Sequence, residues 1–326
     1  MIARRHLLAA TAATPFGLAR PTLLRAETFP SRPIRVVVPF SAGGGTDVLT
    51  RILARGMTEK LGQQVVVENR TGAGGNLAME NVIRSPADGY SLMMGTNGAI
   101  AVNRHLYRNM GFDPLTDFAP VSLAFRIEHL MAVTAGLQAR SVAEVVALAK
   151  AEPGALTFGS GGSGSMIHLA GELFRYRTGI DIVHVPYRGG GPAMNDLVAG
   201  NISMMFDSLP SAEPHVRGGR VRALALCGPQ RHPLMPDLPT MQEAGVPGYA
   251  AASTGALFAP RGTPPEIVAR LGAAVRELVE NAAFREQLGR SGGDAAASTP
   301  AELAQMMAQE SEQWGQVVRA ANITTN

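Results

Sequence analysis

The chain has a single cysteine, Cys227, and therefore no internal disulfide. That cysteine follows the apolar run 221–226 and reads as a small buried hydrophobe, with no activating neighbour in sequence. The apolar run near the N-terminus, residues 7–19, has thirteen residues. A membrane-spanning helix needs roughly 20, so that run is no membrane anchor. Seven histidines show no His-x-x-x-His spacing, and neither a metal nor a cofactor is expected. No serine stands in Gly-x-Ser-x-Gly, since the fifth position around Ser163 is Ser165. A run of Lys and Arg is also missing. The excess of 29 basic over 26 acidic residues comes from Arg4, Arg5, Arg20 and Arg25. Without residues 1–26 the balance is 25 against 26, net −1, and no nucleic-acid partner is expected.

What is present begins with an export pattern. Arg4 and Arg5 precede the apolar run, and Ala26 closes a small-residue cleavage site. Residues 1–26 therefore read as a signal peptide, with the mature chain starting near Glu27 outside the cytoplasm. Arg4-Arg5-His6-Leu7-Leu8 also resembles a twin-arginine signal, although Ala3 and Ala9 depart from that pattern. Either export route fits.

The remaining 300 residues suit two lobes, because single cores stop growing near about 250–300 residues. Strand-like runs at 34–39, 65–68 and 90–95 alternate with helical patterns such as 46–61. In that helix Val48, Leu49, Ile52, Leu53 and Met57 share one face. The rhythm repeats with strands at 130–134, 156–159, 182–185, 202–206 and 221–226 and helices at 141–151 and 165–178. Continuous apolar strands separated by helices predict mostly parallel sheets flanked by helices, an α/β fold. A last strand, 255–259, and three helices starting near Pro264, Asn281 and Thr299 are too few strands for a third sheet. They are expected to return to the first lobe. The expected division is 27–125 and 250–326 for lobe 1 and 126–249 for lobe 2, with chain crossings near 123–127 and 248–252.

Two Gly/Ser-rich loops follow strands and open helices. The first is Phe40-Ser41-Ala42-Gly43-Gly44-Gly45-Thr46-Asp47, the second Gly159-Ser160-Gly161-Gly162-Ser163-Gly164-Ser165. Ligands of open parallel sheets bind outside the carboxyl ends of the strands. Glycines admit close backbone approach, and helix N-termini offer free N–H groups and a positive dipole end. An anion fits there without Lys or Arg. The first loop carries neither a Walker lysine nor the third spaced glycine of a dinucleotide site, and no basic cluster stands near, which makes a carboxylate the expected anion. Gly44 is the position where a β-branched residue is expected to clash with ligand or twist the loop. Asp207, ending the strand 202–206, points into a cleft or caps the next helix. His168 reads as a packed or capping residue more readily than as a base.

Seven stretches carry a resemblance to a known family: PIRVVVPFSAGGGTD (33–47), VVVENRTGAGGN (65–76), ADGYSLMMGTNG (87–98), DPLTDFAPVSL (113–123), LTFGSGGSGSMIHLAGELF (156–174), VHVPYRGGGPAMNDLVAGNISMMFDSLPSA (183–212) and LFAPRGTPPEIV (257–268). The chain resembles the Bug family, the substrate-binding proteins of tripartite tricarboxylate transporters. The resemblance implies a type II periplasmic binding protein fold of two lobes with a hinge. It implies that Phe40, Ser41, Ala42, Gly43, Gly44, Gly45 and Asp47 grip a ligand carboxylate, chiefly through backbone N–H groups. Thr96, Asn97, Ser160, Ser163, Gly164, Ser165 and His168 are implied as further lining, and Asp207 as an acidic pocket position. Many members carry aromatic residues where Ser253 and Thr254 stand. The expectation is a monomeric periplasmic receptor handing a small carboxylate to a membrane permease. A membrane sensor would use the same pocket. A serine hydrolase built on Ser163 or Ser165 would need a nearby base, and the sequence places none.

Overall fold

A computed structural model describes residues 29–324. The expected signal peptide and the expected mature start at Glu27 lie outside the described residues. The first half of the chain runs β1 (Ile34–Val38), α1 (Gly45–Leu61), β2 (Val65–Asn69), α2 (Asn76–Ile83) and β3 (Ser91–Thr96). A π-helical turn at Gly98–Val102 leads into the short α3 (Asn103–Leu106) and then β4 (Phe118–Ile127). One residue later β5 (His129–Thr134) starts a second unit. It continues through α4 (Val142–Ala151), β6 (Thr157–Ser160), α5 (Met166–Thr178), β7 (Val183–Pro186), α6 (Gly190–Ala199), β8 (Met204–Ser208), α7 (Leu209–Arg217) and β9 (Val221–Leu226). The chain returns as β10 (Ser253–Pro260), α8 (Pro265–Glu280), α9 (Ala282–Arg290), β11 (Gly293–Ala295) and α10 (Pro300–Ala320).

These strands make two sheets, ordered β11-β4-β10-β3-β1-β2 and β7-β6-β8-β5-β9. The fold is the expected two-lobe α/β arrangement, but the sheets are mixed and not mostly parallel. β1 pairs parallel with β2 and β3, and β6 with β7 and β8. The strands that carry the chain between lobes reverse this. β10 runs antiparallel to β3 and β4, and β5 antiparallel to β8 and β9. A strand that enters a sheet from the other lobe has no helical crossover to set it parallel. β10 lies between β3 and β4 with all eight residues buried, which ties the C-terminal segment to the first sheet.

Local sequence explains the elements nearest the cleft. β1 reads IRVVV, and Ile34, Val36, Val37 and Val38 are buried because helices cover both faces of this inner strand. α1 buries Leu49, Ile52, Leu53 and Met57 and ends at Gly62, which takes the left-handed conformation (φ 68°) and donates to the Thr58 carbonyl. Ser141 caps α4 by accepting from the Glu144 N–H. Thr299 and Glu302 form a reciprocal capping box at the start of α10. The chain changes sheet at Glu128, between β4 and β5, and changes back between β9 and β10. Cys227 is buried beside that second crossing, where burial pushes its thiol pKa up and the Tyr249 hydroxyl lies 3.7 Å from its sulfur. Among the described residues no helix is long and apolar enough to cross a membrane.

Candidate functional site

Four helices begin at the gap between the sheets: α1 from one lobe and α5, α6 and α7 from the other. α1 opens on Gly44, α6 on Gly189 and α7 on Ser208, none with a side-chain cap. α5 opens on Ser165, whose hydroxyl accepts from the His168 N–H. First-turn N–H groups have no partner within their own helix, so α1, α5 and α6 bring unpaired donors together there, while α7 adds chiefly its positive dipole end, since the Leu209 N–H donates to the Glu128 carbonyl and Pro210 has none. The cavity between them, about 30 Å³, is lined by Phe40, Gly44, Gly45, Thr46, Thr96, Ile127, His129, Gly161, Ser165, Met166, Ile167, Gly190, Asp207, Ser208 and Ser253. Among the described residues no Lys or Arg lines it. Larger depressions of about 810 and 790 Å³ lie along the C-terminal residues Ala321–Thr324 and Val318–Thr324. Neither collects the uncapped helix ends, so the smaller cavity is the candidate site.

The lobes touch around this cavity. The Tyr107 hydroxyl, just after α3, donates to the Ser163 carbonyl at 2.7 Å. Gly189 (φ 142°) packs on the Ser41 backbone so closely that a Cβ there would sit 2.7 Å from the Ser41 nitrogen. A groove of about 670 Å³ borders the cavity at Gly161, between residues 71–75 and Tyr107 on one side and Pro186, Tyr187 and Arg188 on the other. Room for about two water molecules remains inside, so a four-carbon acid enters only if the lobes part.

The residues named from sequence divide into two groups. Phe40, Gly44, Gly45, Thr96, Ser165 and Asp207 line the cavity. Ser41, Ala42, Gly43, Asp47, Asn97, Ser160, Ser163, Gly164 and His168 do not, and most of these are held by protein partners. The Asp47 carboxylate accepts from the Gly43 N–H at 3.0 Å, from Arg51 and from Asn69. Burial opposes its charge, but those bonds win and hold its pKa below the usual carboxylate range. Asp47 thus fixes the first loop from behind. Asn97 donates to the Ala252 carbonyl and to Glu310, and accepts from the Thr254 N–H.

The second loop is braced by two histidines. The Ser160 hydroxyl lies 2.6 Å from His184 Nε2 and accepts from the Gly162 N–H, while His168 Nδ1 accepts from the Gly164 N–H at 3.2 Å. A serine next to a histidine therefore exists at Ser160, fully buried and outside the cavity, and another at Ser253, which lines the cavity 2.7 Å from His129 Nε2. Ser165 spends its hydroxyl on capping α5, and Ser163 contributes its carbonyl to the lobe contact. The Ser41 hydroxyl is buried without a hydrogen-bond partner. Ala42 is exposed, and Gly43 turns the first loop at φ 84°.

Sequence reasoning missed His129, Ile127, Met166, Ile167, Gly190 and Ser208, while Ser253, marked through the resemblance as a position of aromatics in many members, lines the cavity. Asp207 is fully buried. Its Oδ1 accepts from the Ser208 N–H at 2.8 Å and Oδ2 lacks a hydrogen bond of good geometry, with the Ser211 hydroxyl as its nearest help. Burial raises its pKa to about 6.

The Tyr107 contact gives a first prediction. Tyr107→Phe removes one neutral hydrogen bond between lobes, worth about 0.5–1.5 kcal/mol, and weakens ligand binding about 2- to 12-fold. Ser163→Ala keeps the accepting carbonyl and stays within about twofold of the parent. Calorimetry on the two variants separates backbone from hydroxyl. The reverse order of effects would return the Ser163 hydroxyl to the site.

Comparison with known proteins agrees with this architecture. Residues 49–323 match the Tripartite tricarboxylate transporter family receptor. The protein BugT of Bordetella pertussis is 37% identical over 304 residues, 93% of this chain and 93% of BugT. Among solved structures, R. palustris Rpa4515 with adipate is 40% identical with a TM-score of 0.89, covering 91% of this chain and 99% of that one. MatC from Rhodopseudomonas palustris with bound malate is 34% identical with a TM-score of 0.85, covering 89% of this chain and 100% of that one. The chain belongs to the tripartite tricarboxylate transporter receptor family.

Proposed function

We propose that the protein is a periplasmic solute receptor that captures a small carboxylate between its lobes and delivers it to a membrane permease. The carrying observation is the convergence of four helix N-termini on one cavity without a Lys or Arg. Backbone donors and dipole ends hold a carboxylate by charge-assisted hydrogen bonds, which strengthen as water leaves. Relatives bound to adipate and malate support that ligand class. Export rests on the N-terminal pattern and on the kinship with periplasmic binding proteins such as BugD. No catalytic step is assigned, because the family is one of receptors.

Ligand exchange requires the lobes to part, and the chain provides a pivot at Glu128 and the second crossing. The test uses the mature chain from residue 27. Thermal shift and calorimetry against adipate, malate and other short carboxylates should identify a binder. Small-angle scattering should then give a smaller radius of gyration with that binder than without it. Failure of every carboxylate in the panel would overturn the reading. Binding with an unchanged radius would remove the hinge and leave the receptor.

A further inference from the structure

One wall of the cavity, where the chain crosses between lobes, has a polarity that its hydrogen bonds fix. His129 Nδ1 lies 2.9 Å from the Phe206 carbonyl oxygen. A carbonyl only accepts, so Nδ1 carries the hydrogen. The ring is fully buried and the Phe206 carbonyl is its only favourable partner for charge, so burial holds its pKa down to about 4 and the ring is neutral. Nε2 is then a bare lone pair. The Ser253 hydroxyl, 2.7 Å away, must donate its single hydrogen to it. What Ser253 shows the cavity is an oxygen that can only accept. Asp207, on β8 opposite Leu130, lines the same cavity; its Oδ2 lacks a hydrogen bond of good geometry among the described residues, and the ionised carboxylate can only accept. The Thr46 and Thr96 hydroxyls also reach the cavity, but a free hydroxyl rotates to suit its partner and sets no polarity.

The helix ends thus supply donors, and the wall of Ser253 and Asp207 supplies acceptors. We infer that the receptor selects carboxylates bearing a second, hydrogen-bond-donating group, a hydroxyl or an amine, with Ser253 as the specificity residue and His129 as the residue that orients it. This deepens the carboxylate reading above and rests on it. A ligand whose far end is apolar leaves two buried acceptors unpaired, and one whose far end is a second ionised carboxylate meets Asp207 charge to charge.

The test is calorimetry at pH 7.5 with matched pairs: hydroxy and amino acids of three to five carbons against their counterparts lacking the donor. The donor-bearing member of the best pair should bind about 10- to 100-fold tighter. Ser253→Ala should bring the two members to within about threefold of each other, with folding checked by circular dichroism. Should that variant not fold, the wild-type pairs decide alone. Equal affinity within every pair, tightest binding by a dicarboxylate with no other polar group, or an undiminished gap in folded Ser253→Ala would each overturn the inference and leave the carboxylate reading intact. No binding by any member would overturn both.

Discussion

Replacing Gly45 by valine should weaken carboxylate binding about 10- to 100-fold while leaving the unfolding temperature nearly unchanged. Gly45 is the first residue of α1 and is buried where the lobes meet. A Cβ placed on it would lie 2.8 Å from the Ser208 Cβ and 3.5 Å from the Pro210 ring, with the Ser208 hydroxyl nearer still. Real Cβ atoms do not approach so closely, so one lobe must shift. Overpacking of this kind costs about 1–3 kcal/mol, and each 1.4 kcal/mol is tenfold in affinity. The cost falls on the closed state, because Ser208 and Pro210 belong to the other lobe. An open molecule escapes the clash, which is why stability should hold. Gly44 is the contrast. It has φ −73°, and a Cβ there would meet the Ser41 carbonyl at 3.6 Å and the Gly190 nitrogen at 4.0 Å, ordinary contacts. Gly44→Ala should stay within about threefold of the parent. At Gly44 the protein itself leaves room for a Cβ, so the clash expected there from sequence would be with ligand, whereas at Gly45 it is with the opposite lobe. Calorimetry on both variants, with scattering to follow closure, checks the pair. Wild-type affinity in Gly45→Val would show that binding does not need the lobe contact described here.

That shift shows where local sequence stops being informative. Gly43, Gly44 and Gly45 are alike in sequence, and what separates them is the wall each faces, which comes from a strand end more than 160 positions away. β1, β2 and β3 were legible because buried parallel strands are continuous β-branched or apolar runs, as at Ile34–Val38, whereas the antiparallel β4 and the short β11 were not expected. The start of α10 was legible because Thr299, Pro300 and Glu302 spell a cap. The pairing of β10 between β3 and β4 was not, since pairing is not a local property. α6 escaped notice because Gly190, Gly191 and Pro192 open it, residues that ordinarily mark turns, and α7 was expected only as a helix after Asp207, without bounds. At the site, both glycine-rich loops were visible, but side chains chosen by chemical type were often wrong about direction. Asp47, Asn97 and His168 are polar and near the cleft, yet each is spent on holding backbone. His129 and Ser253 had no motif to betray them. They stand 124 positions apart and meet only because the two crossings run side by side.

Acid should destabilise the protein as the pH falls from 6.5 towards 4, because unfolding then takes up protons. Two opposing sets of buried groups decide that sign. Burial lowers the pKa of His129 to about 4, of His168 to about 3 and of His184 to about 4, with the neighbouring His184 and Arg175 adding to the shift of His168 and Arg175 to that of His184. In the unfolded chain these rings titrate near 6.5. Their folded forms are neutral, so the stability they carry is complete above pH 6.5 and is lost as the pH falls towards their folded values. Burial raises Glu128 to about 7, aided by Asp294, and Asp207 to about 6. Those carboxyls act with the opposite sign, because the fold holds their protons in the window where the unfolded chain has released them. Burial also lowers His105, His215 and His232 and raises Glu172 and Glu310. Six histidines against four carboxyls favour the histidine set, so His184→Gln should flatten the slope while Asp207→Asn should steepen it. Chemical denaturation at several pH values reads the slopes directly. The consequence reaches the site because the His168 and His184 rings stand 4.2 Å apart and each holds the second loop, one at the Gly164 N–H and the other at the Ser160 hydroxyl. Protonation at either ring puts a cation against the other ring or against Arg175, and at His168 Nδ1 it also replaces an acceptor with a donor facing an N–H. The loop that presents α5 to the ligand should loosen before the fold does, so carboxylate affinity should fall at a higher pH than the unfolding temperature. Coincident loss of both would place the histidines in the global core alone and remove their role in shaping the loop.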